Sequence, residues 1–352
     1  MKSLLAILLI LFSLAAHSEE WVSPIDKKYS EKNQKLFADF SRARNILDSW
    51  RGQGEKLSEA DALLRSVIQG DSNFAPAYRE YGRLYIMAGY INYDNFKEGS
   101  LSPAEASILK SIEIEPNYAD SYVLLGHLYT NMKRYNDAQN ALAKAEKIGT
   151  NSPWLQVNWG ALLIEQEQYE EALKRYRHIV ETDTTNKKAY SSALSGVTTA
   201  YRQMKQYDKA NDGFKNEIAY APDDAWIWGN YSSFLLFSYG DVDGAIAKGQ
   251  KAISIMDYGM GRFTLACALY TKWALLLQDG NKKKEAQQYF VRAWYLYPYP
   301  EKIIEKTSEY KYTRVTATEL QKWLTQRSSG NGTHTPLEFG DSKSFDVIKV
   351  PK

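Results

Sequence analysis

The sequence predicts an all-α fold, a solenoid of about seven antiparallel helix pairs with a C-terminal capping helix, and three observations point to it. Gly126 and Gly160 stand 34 residues apart, and so do Ala138 and Ala172, so two independent landmarks share one period. Around them, large and small apolar residues recur at helical spacing, as in Tyr122-x-x-Leu125-Gly126-x-x-Tyr129 followed by Ala138-x-x-x-Leu142-x-x-Ala145. Pro116, Pro222 and Pro298 fall where a second helix must stop, because proline lacks an N–H donor and disfavours a helical residue before it.

These residues resemble the tetratricopeptide repeat, in which a glycine in the first helix and an alanine early in the second let two backbones approach. The resemblance covers roughly residues 30–297, strongest over 75–183. It implies a right-handed superhelix whose first helices line a concave groove, and a function in binding.

Taken in chain order, residues 1–18 read as a signal peptide. Lys2 supplies a positive charge, residues 4–16 are apolar apart from Ser13, and Ala16-His17-Ser18 places small residues where a signal peptidase needs them. The apolar run is short of the roughly 20 residues a spanning helix requires. The expected mature chain starts at Glu19 and is periplasmic or secreted, without stable membrane insertion. An uncleaved anchor is the other reading, and the small-x-small ending argues against it. Cys267 is the only cysteine, which excludes an internal disulfide and lipid attachment near the cleavage site.

The solenoid, residues 19–297, divides into units at about 30–70, 75–118, 119–152, 153–190, 191–224, 225–258 and 259–298. The first has its second helix around Ala60 and Leu64. The second carries Tyr78, Tyr81, Gly82 and Tyr85, then about ten extra residues between Ala88 and Ser102, since Gly82 to Gly126 is 44 residues. That insertion, with Tyr90-Ile91-Asn92-Tyr93-Asp94-Asn95-Phe96, is expected either to lengthen the helices or to form a loop at the groove rim. Ser102-Pro103-x-Glu105 reads as a cap followed by proline at the first helical position. In the fifth unit Thr198 replaces the glycine; in the seventh Phe263, Ala266, Cys267 and Tyr270 take the large, large, small and large places of the first helix. Residues 299–327 form an amphipathic cap that shields the last apolar face. Residues 328–352 read as a flexible tail whose one apolar cluster lies at 345–350.

Charge is nearly balanced, 44 basic against 42 acidic side chains, so nothing points to nucleic acid or an anionic membrane. No His-x-x-x-His, Cys-x-x-Cys, phosphate loop or Gly-x-Ser-x-Gly occurs, and the histidines lie far apart, so neither catalysis nor a metal or cofactor is expected. Cys267 reads as a buried structural thiol, and the glutamates at 165, 167, 170 and 171 as a solvated turn.

The repeat resemblance places groove-facing positions at Arg79, Arg83 and Met87, then Asp120, His127 and Asn131, Trp154, Val157 and Glu165, Ser192, Thr199 and Arg202, and Trp226, Ser233 and Phe237. Arg79, Arg83, His127, Asn131, Trp154, Arg202 and Trp226 are the expected partner contacts. The basic and asparagine set that clamps chaperone C-termini is missing. Two readings follow. In one, an envelope scaffold holds a protein or peptide segment in the groove. In the other, Trp154 and Trp226 are stacking platforms for a polysaccharide.

Overall fold

A computed structural model describes residues 21–50, 52–92, 95–182 and 185–328. The expected leader at 1–18 and the tail beyond Ser328 lie outside these residues. The described chain is an all-α helical repeat. After α1 (Pro24–Lys32) come seven helix pairs: α2 (Gln34–Ser49) with α3 (Gly54–Gly70), α4 (Ala75–Gly89) with α5 (Leu101–Ile114), α6 (Ala119–Asn131) with α7 (Tyr135–Ile148), α8 (Pro153–Glu165) with α9 (Tyr169–Thr182), α10 (Lys187–Gln203) with α11 (Tyr207–Tyr220), α12 (Ala225–Phe234) with α13 (Val242–Ile255), and α14 (Gly259–Leu277) with α15 (Lys283–Leu296). Two further helices follow, α16 (Pro300–Ser308) and α17 (Arg314–Ser328). The molecule divides into two compact units between Gly196 and Val197, inside α10.

The close approaches are where the small residues predicted them. A Cβ on Gly82 would lie 2.3 Å from Ile108 Cγ1, one on Gly126 2.6 Å from the Leu142 side chain, and one on Gly160 2.5 Å from the Tyr176 ring. These distances are well inside van der Waals contact, so only hydrogen fits. In the fifth pair the exchange is reciprocal. Thr198 occupies the glycine place, and Gly213 on the facing helix makes room, its notional Cβ 2.5 Å from Thr198 Oγ1.

Turns repeat with the same regularity. Lys133, Glu167 and Lys205 each adopt φ near +60° between the two helices of a pair, and the next residue donates its N–H back to Tyr129, Leu163 or Tyr201. At the other end of a pair, Tyr78 Oη, Tyr122 Oη and Trp228 Nε1 each donate to the carbonyl six residues upstream, Ser72, Pro116 and Pro222, at 2.8–3.2 Å. Pro116, Pro222 and Pro298 each stand two residues beyond a second helix. Between Ala210 and Ala245 the separation is 35, one more than the period, and α12 ends in a π-helical turn, Leu235–Tyr239, of the kind that absorbs a single extra residue.

Two local expectations are corrected, and of the two readings of the insertion the longer helices are ruled out. The insertion leaves the helices their ordinary length and forms a short hairpin, β1 (Tyr90–Asn92) against β2 (Asn95–Phe96), with the Tyr90 and Phe96 rings 5.9 Å apart edge to face. Ser102 lies inside α5, which begins at Leu101 and has no side-chain cap. The C-terminal cap is two helices: Thr313 turns the chain by donating its hydroxyl to the Thr307 carbonyl.

In the first unit, one apolar cluster includes Phe40, Leu47, Leu64, Phe74 and Tyr118, and a second includes Ile108, Leu128, Leu142 and Leu162. In the second unit, a single cluster runs from Phe214 and Phe234 through Cys267, Tyr270 and Phe290 to Leu320, so the cap is part of the core.

Candidate functional site

Two of the three arginines expected to meet a partner, Arg79 and Arg83, are spent inside the first unit. Glu80 on α4 is buried between Arg79 Nη2, 2.6 Å away, and Arg83 Nη1 at 3.2 Å. Arg79 also reaches Asp120 at 3.4 Å and lies over the Tyr118 ring, while Arg83 pairs with Asp48 at the end of α2. Lys188, at the start of α10, pairs with Asp48 at 3.7 Å and donates to its carbonyl. Burial pushes the Glu80 carboxyl up, and the charges of Arg79 and Arg83 outweigh it, so the group sits below its ordinary range. Asp120 goes the other way, raised by burial more than Arg79 can offset.

Helix α1 completes this network and was not anticipated as an element. Ser23 caps it by accepting the Asp26 N–H, with Pro24 at the first helical position. Buried Asp26 accepts from Arg44 at 3.0 Å and from the Tyr118 hydroxyl. Thus Asp26, Asp48, Glu80 and Asp120 face Arg44, Arg79, Arg83 and Lys188, and the charges cancel. Such an arrangement fixes the register of α1, α2, α4, α6 and α10, and leaves little to offer a ligand.

The other expected contacts are placed variously. His127 and Asn131 are neighbours on α6, both half-buried, with the Asn131 amide 3.1 Å from His127 Nε2. Burial lowers the His127 pKa to about 4, so the ring is neutral at physiological pH and accepts that N–H. Trp154 is half-buried against the second apolar cluster. In the second unit Arg202 is exposed, with no ion pair among the described residues, and Trp226 is 45% exposed with its ring 4.4 Å from Tyr258. Phe237 is buried under Tyr310 of the cap, ring centroids 4.7 Å apart. The Cys267 thiol is buried and its pKa pushed up by that burial, which keeps it protonated.

The residue preceding a first helix is an aromatic in three places, Phe74 before α4, Tyr118 before α6 and Tyr258 before α14, and Tyr299 stands likewise before the cap helix α16. First helices pack side by side within each unit, so these aromatics mark one edge of the repeat. In the first unit α1 covers that edge. Tyr29 packs on Phe74 at 4.8 Å and donates its hydroxyl to the Asn73 carbonyl, and Lys28 and Lys32 pair with Glu115 and Asp71 at 2.6 and 2.8 Å. In the second unit the edge is open: Tyr299 is 58% exposed.

Repeated helix pairs with glycine-tight contacts and an aromatic edge define a helical-repeat protein. A tetratricopeptide-repeat family model matches residues 107–140, within the α5–α7 stretch where the repeat is most regular. It is 25% identical over 230 residues to the peroxisomal targeting signal receptor of Komagataella phaffii, covering 63% of this chain and 37% of that one. It is also 25% identical over 162 residues to the type IV pilus assembly protein PilF of Pseudomonas aeruginosa, covering 45% of this chain and 62% of that one. The chain therefore spans between about a third and three fifths of the length of these curated relatives. Among solved structures, the Cut9–Hcn1 hetero-tetramer of the APC/C superposes with a TM-score of 0.52 at 17% identity, over 69% of this chain and 45% of that one, a likeness of fold. Among the described residues no helix is long and apolar enough to cross a membrane.

Proposed function

We propose that this protein is an exported, periplasmic scaffold that holds a segment of another envelope protein and carries out no reaction. The observation that carries the reading is the exposure of Trp226 and Arg202 on first helices of the second unit, in a repeat whose other large aromatics are mostly spent on packing. A receptor and an assembly protein among the relatives accord with binding, and the pilus assembly protein accords with the envelope. Export rests on the leader pattern of residues 1–18.

Of the seven expected contacts, Trp226 and Arg202 are the ones a partner meets first. His127, Asn131 and Trp154 are half-buried and less accessible, and Arg79 and Arg83 act by holding the first unit in register. The half-burial of Trp154 leaves Trp226 without its expected companion platform, which favours protein over polysaccharide. Cell fractionation combined with photo-crosslinking from position 226 tests the reading. A periplasmic protein crosslinked to a defined polypeptide supports it. Cytoplasmic retention, or crosslinks to glycan alone, would overturn it.

A further inference from the structure

We infer that the open aromatic edge of the second unit is a docking site for a short partner helix carrying an aromatic residue flanked by lysines. This rests on the protein-binding reading above and adds the partner's chemistry.

The chain contains its own example of what covers such an edge. Phe74 and Tyr118, at the starts of α4 and α6, are fully buried because α1 lies over them. The occupant is a nine-residue helix, about 13 Å long, which matches the roughly 10 Å between adjacent packed helices. Its Tyr29 provides the ring contact and Lys28 and Lys32 reach carboxylates on the turns.

The second unit repeats the receiving side without the occupant. Tyr258 and Tyr299 stand immediately before α14 and the cap helix α16, as Phe74 and Tyr118 do before α4 and α6. Trp226 packs on Tyr258 at 4.4 Å, and Tyr297 packs between Phe263 and Tyr299 at 5.0 and 5.2 Å. Trp226, in the first turn of α12, and Tyr299 remain 45% and 58% exposed, whereas Phe74 and Tyr118 are fully buried. Charge complements a basic occupant: Asp223 and Glu301, three and two residues in sequence from Trp226 and Tyr299, are exposed. Lysines of an incoming helix thus find carboxylates close in sequence to the aromatics, as Lys28 and Lys32 do.

The test titrates a fluorescein-labelled peptide of residues 22–35 into the mature full-length protein and follows anisotropy at low salt. Saturable binding is expected. It should weaken at least tenfold with Tyr29→Ala in the peptide, or with Trp226→Ala plus Tyr299→Ala in the protein, and severalfold at high salt. Binding that is absent, or unaffected by the double substitution, overturns the inference, as does binding abolished by Tyr118→Phe alone, which would place the peptide on the first unit. If ending the chain at Ser328 tightens binding tenfold, the C-terminal tail is the occupant and the partner proposal falls. Dimerisation abolished by Trp226→Ala would likewise replace the partner with a second copy. Should the peptide fail while crosslinks from position 226 still capture a polypeptide, the scaffold reading stands and only this inference is lost.

Discussion

Tyr118 and Tyr299 each stand immediately before a helix, α6 of the repeat and α16 of the cap, yet one is fully buried and the other is 58% exposed. Neither residue type nor position explains the difference. In the first unit the chain provides α1, whose Asp26 and Tyr29 close over the edge; in the second, none of the described residues plays that part. Such a position is therefore a socket, and its role depends on whether the chain fills it. The same contrast holds for charge. Arg79 and Arg83 are consumed by Glu80, Asp48 and Asp120, whereas Arg202 in the second unit is exposed.

The largest expected effect is on the filled socket. Tyr118→Ala removes a fully buried ring and the partner of Asp26, and should cost about 3–5 kcal/mol in urea unfolding, whereas Trp226→Ala in the open socket should cost under about 1 kcal/mol. Equal losses would erase the comparison. Next, Glu80→Gln leaves two guanidiniums without their shared carboxylate and should destabilise the first unit by about 3 kcal/mol or more, with hydrogen exchange accelerating in α4 more than in α14. Gly126→Ala should cost about 1–3 kcal/mol through the clash with Leu142, and a stability change near zero would mean the close approach is absent in solution.

Acid sharpens the contrast further. Asp71 is held below its ordinary pKa by the hydrogen bond from Lys32, against a smaller burial effect, and Glu80 is lowered by its arginines despite burial. A lowered folded pKa gives stability that is full above the unfolded value and lost as pH falls through the folded one. Asp120 has the opposite sign and recovers part of that loss. Titrating below pH ~4 should thus release α1, raising hydrogen exchange at Tyr29 ahead of the core helices. The smallest effect is Lys133→Gly, which relieves a left-handed backbone angle and should stabilise by up to about 1 kcal/mol, read as a small rise in melting temperature.

Much of the fold was legible because its determinants are local. Gly126 and Leu142, Gly160 and Tyr176, and the prolines two residues past α5, α11 and α15 each express a constraint within one helix pair. Far less of the site was legible. The cap motif Ser-Pro-x-acid occurs twice; it was read at Ser102, where the helix has already begun, and missed at Ser23, where it starts α1. Recognising α1 would have predicted that its neighbours at the edge are covered. The ion pairs of Arg79 and Arg83 join residues up to 41 positions apart, and periodicity carries no signal for such register. Trp226 is among the positions that the repeat resemblance implies, while Tyr299 stands at a helix start, outside that register.

The most direct test places a photo-reactive residue at position 226 or at position 118 and compares their crosslinks in living cells by mass spectrometry. From position 226 the expected product is a second polypeptide, joined through a helix bearing an aromatic flanked by lysines. From position 118 the expected product is internal, to residues 24–32 of the same chain. Capture of a partner from position 118 with none from 226 would contradict the account.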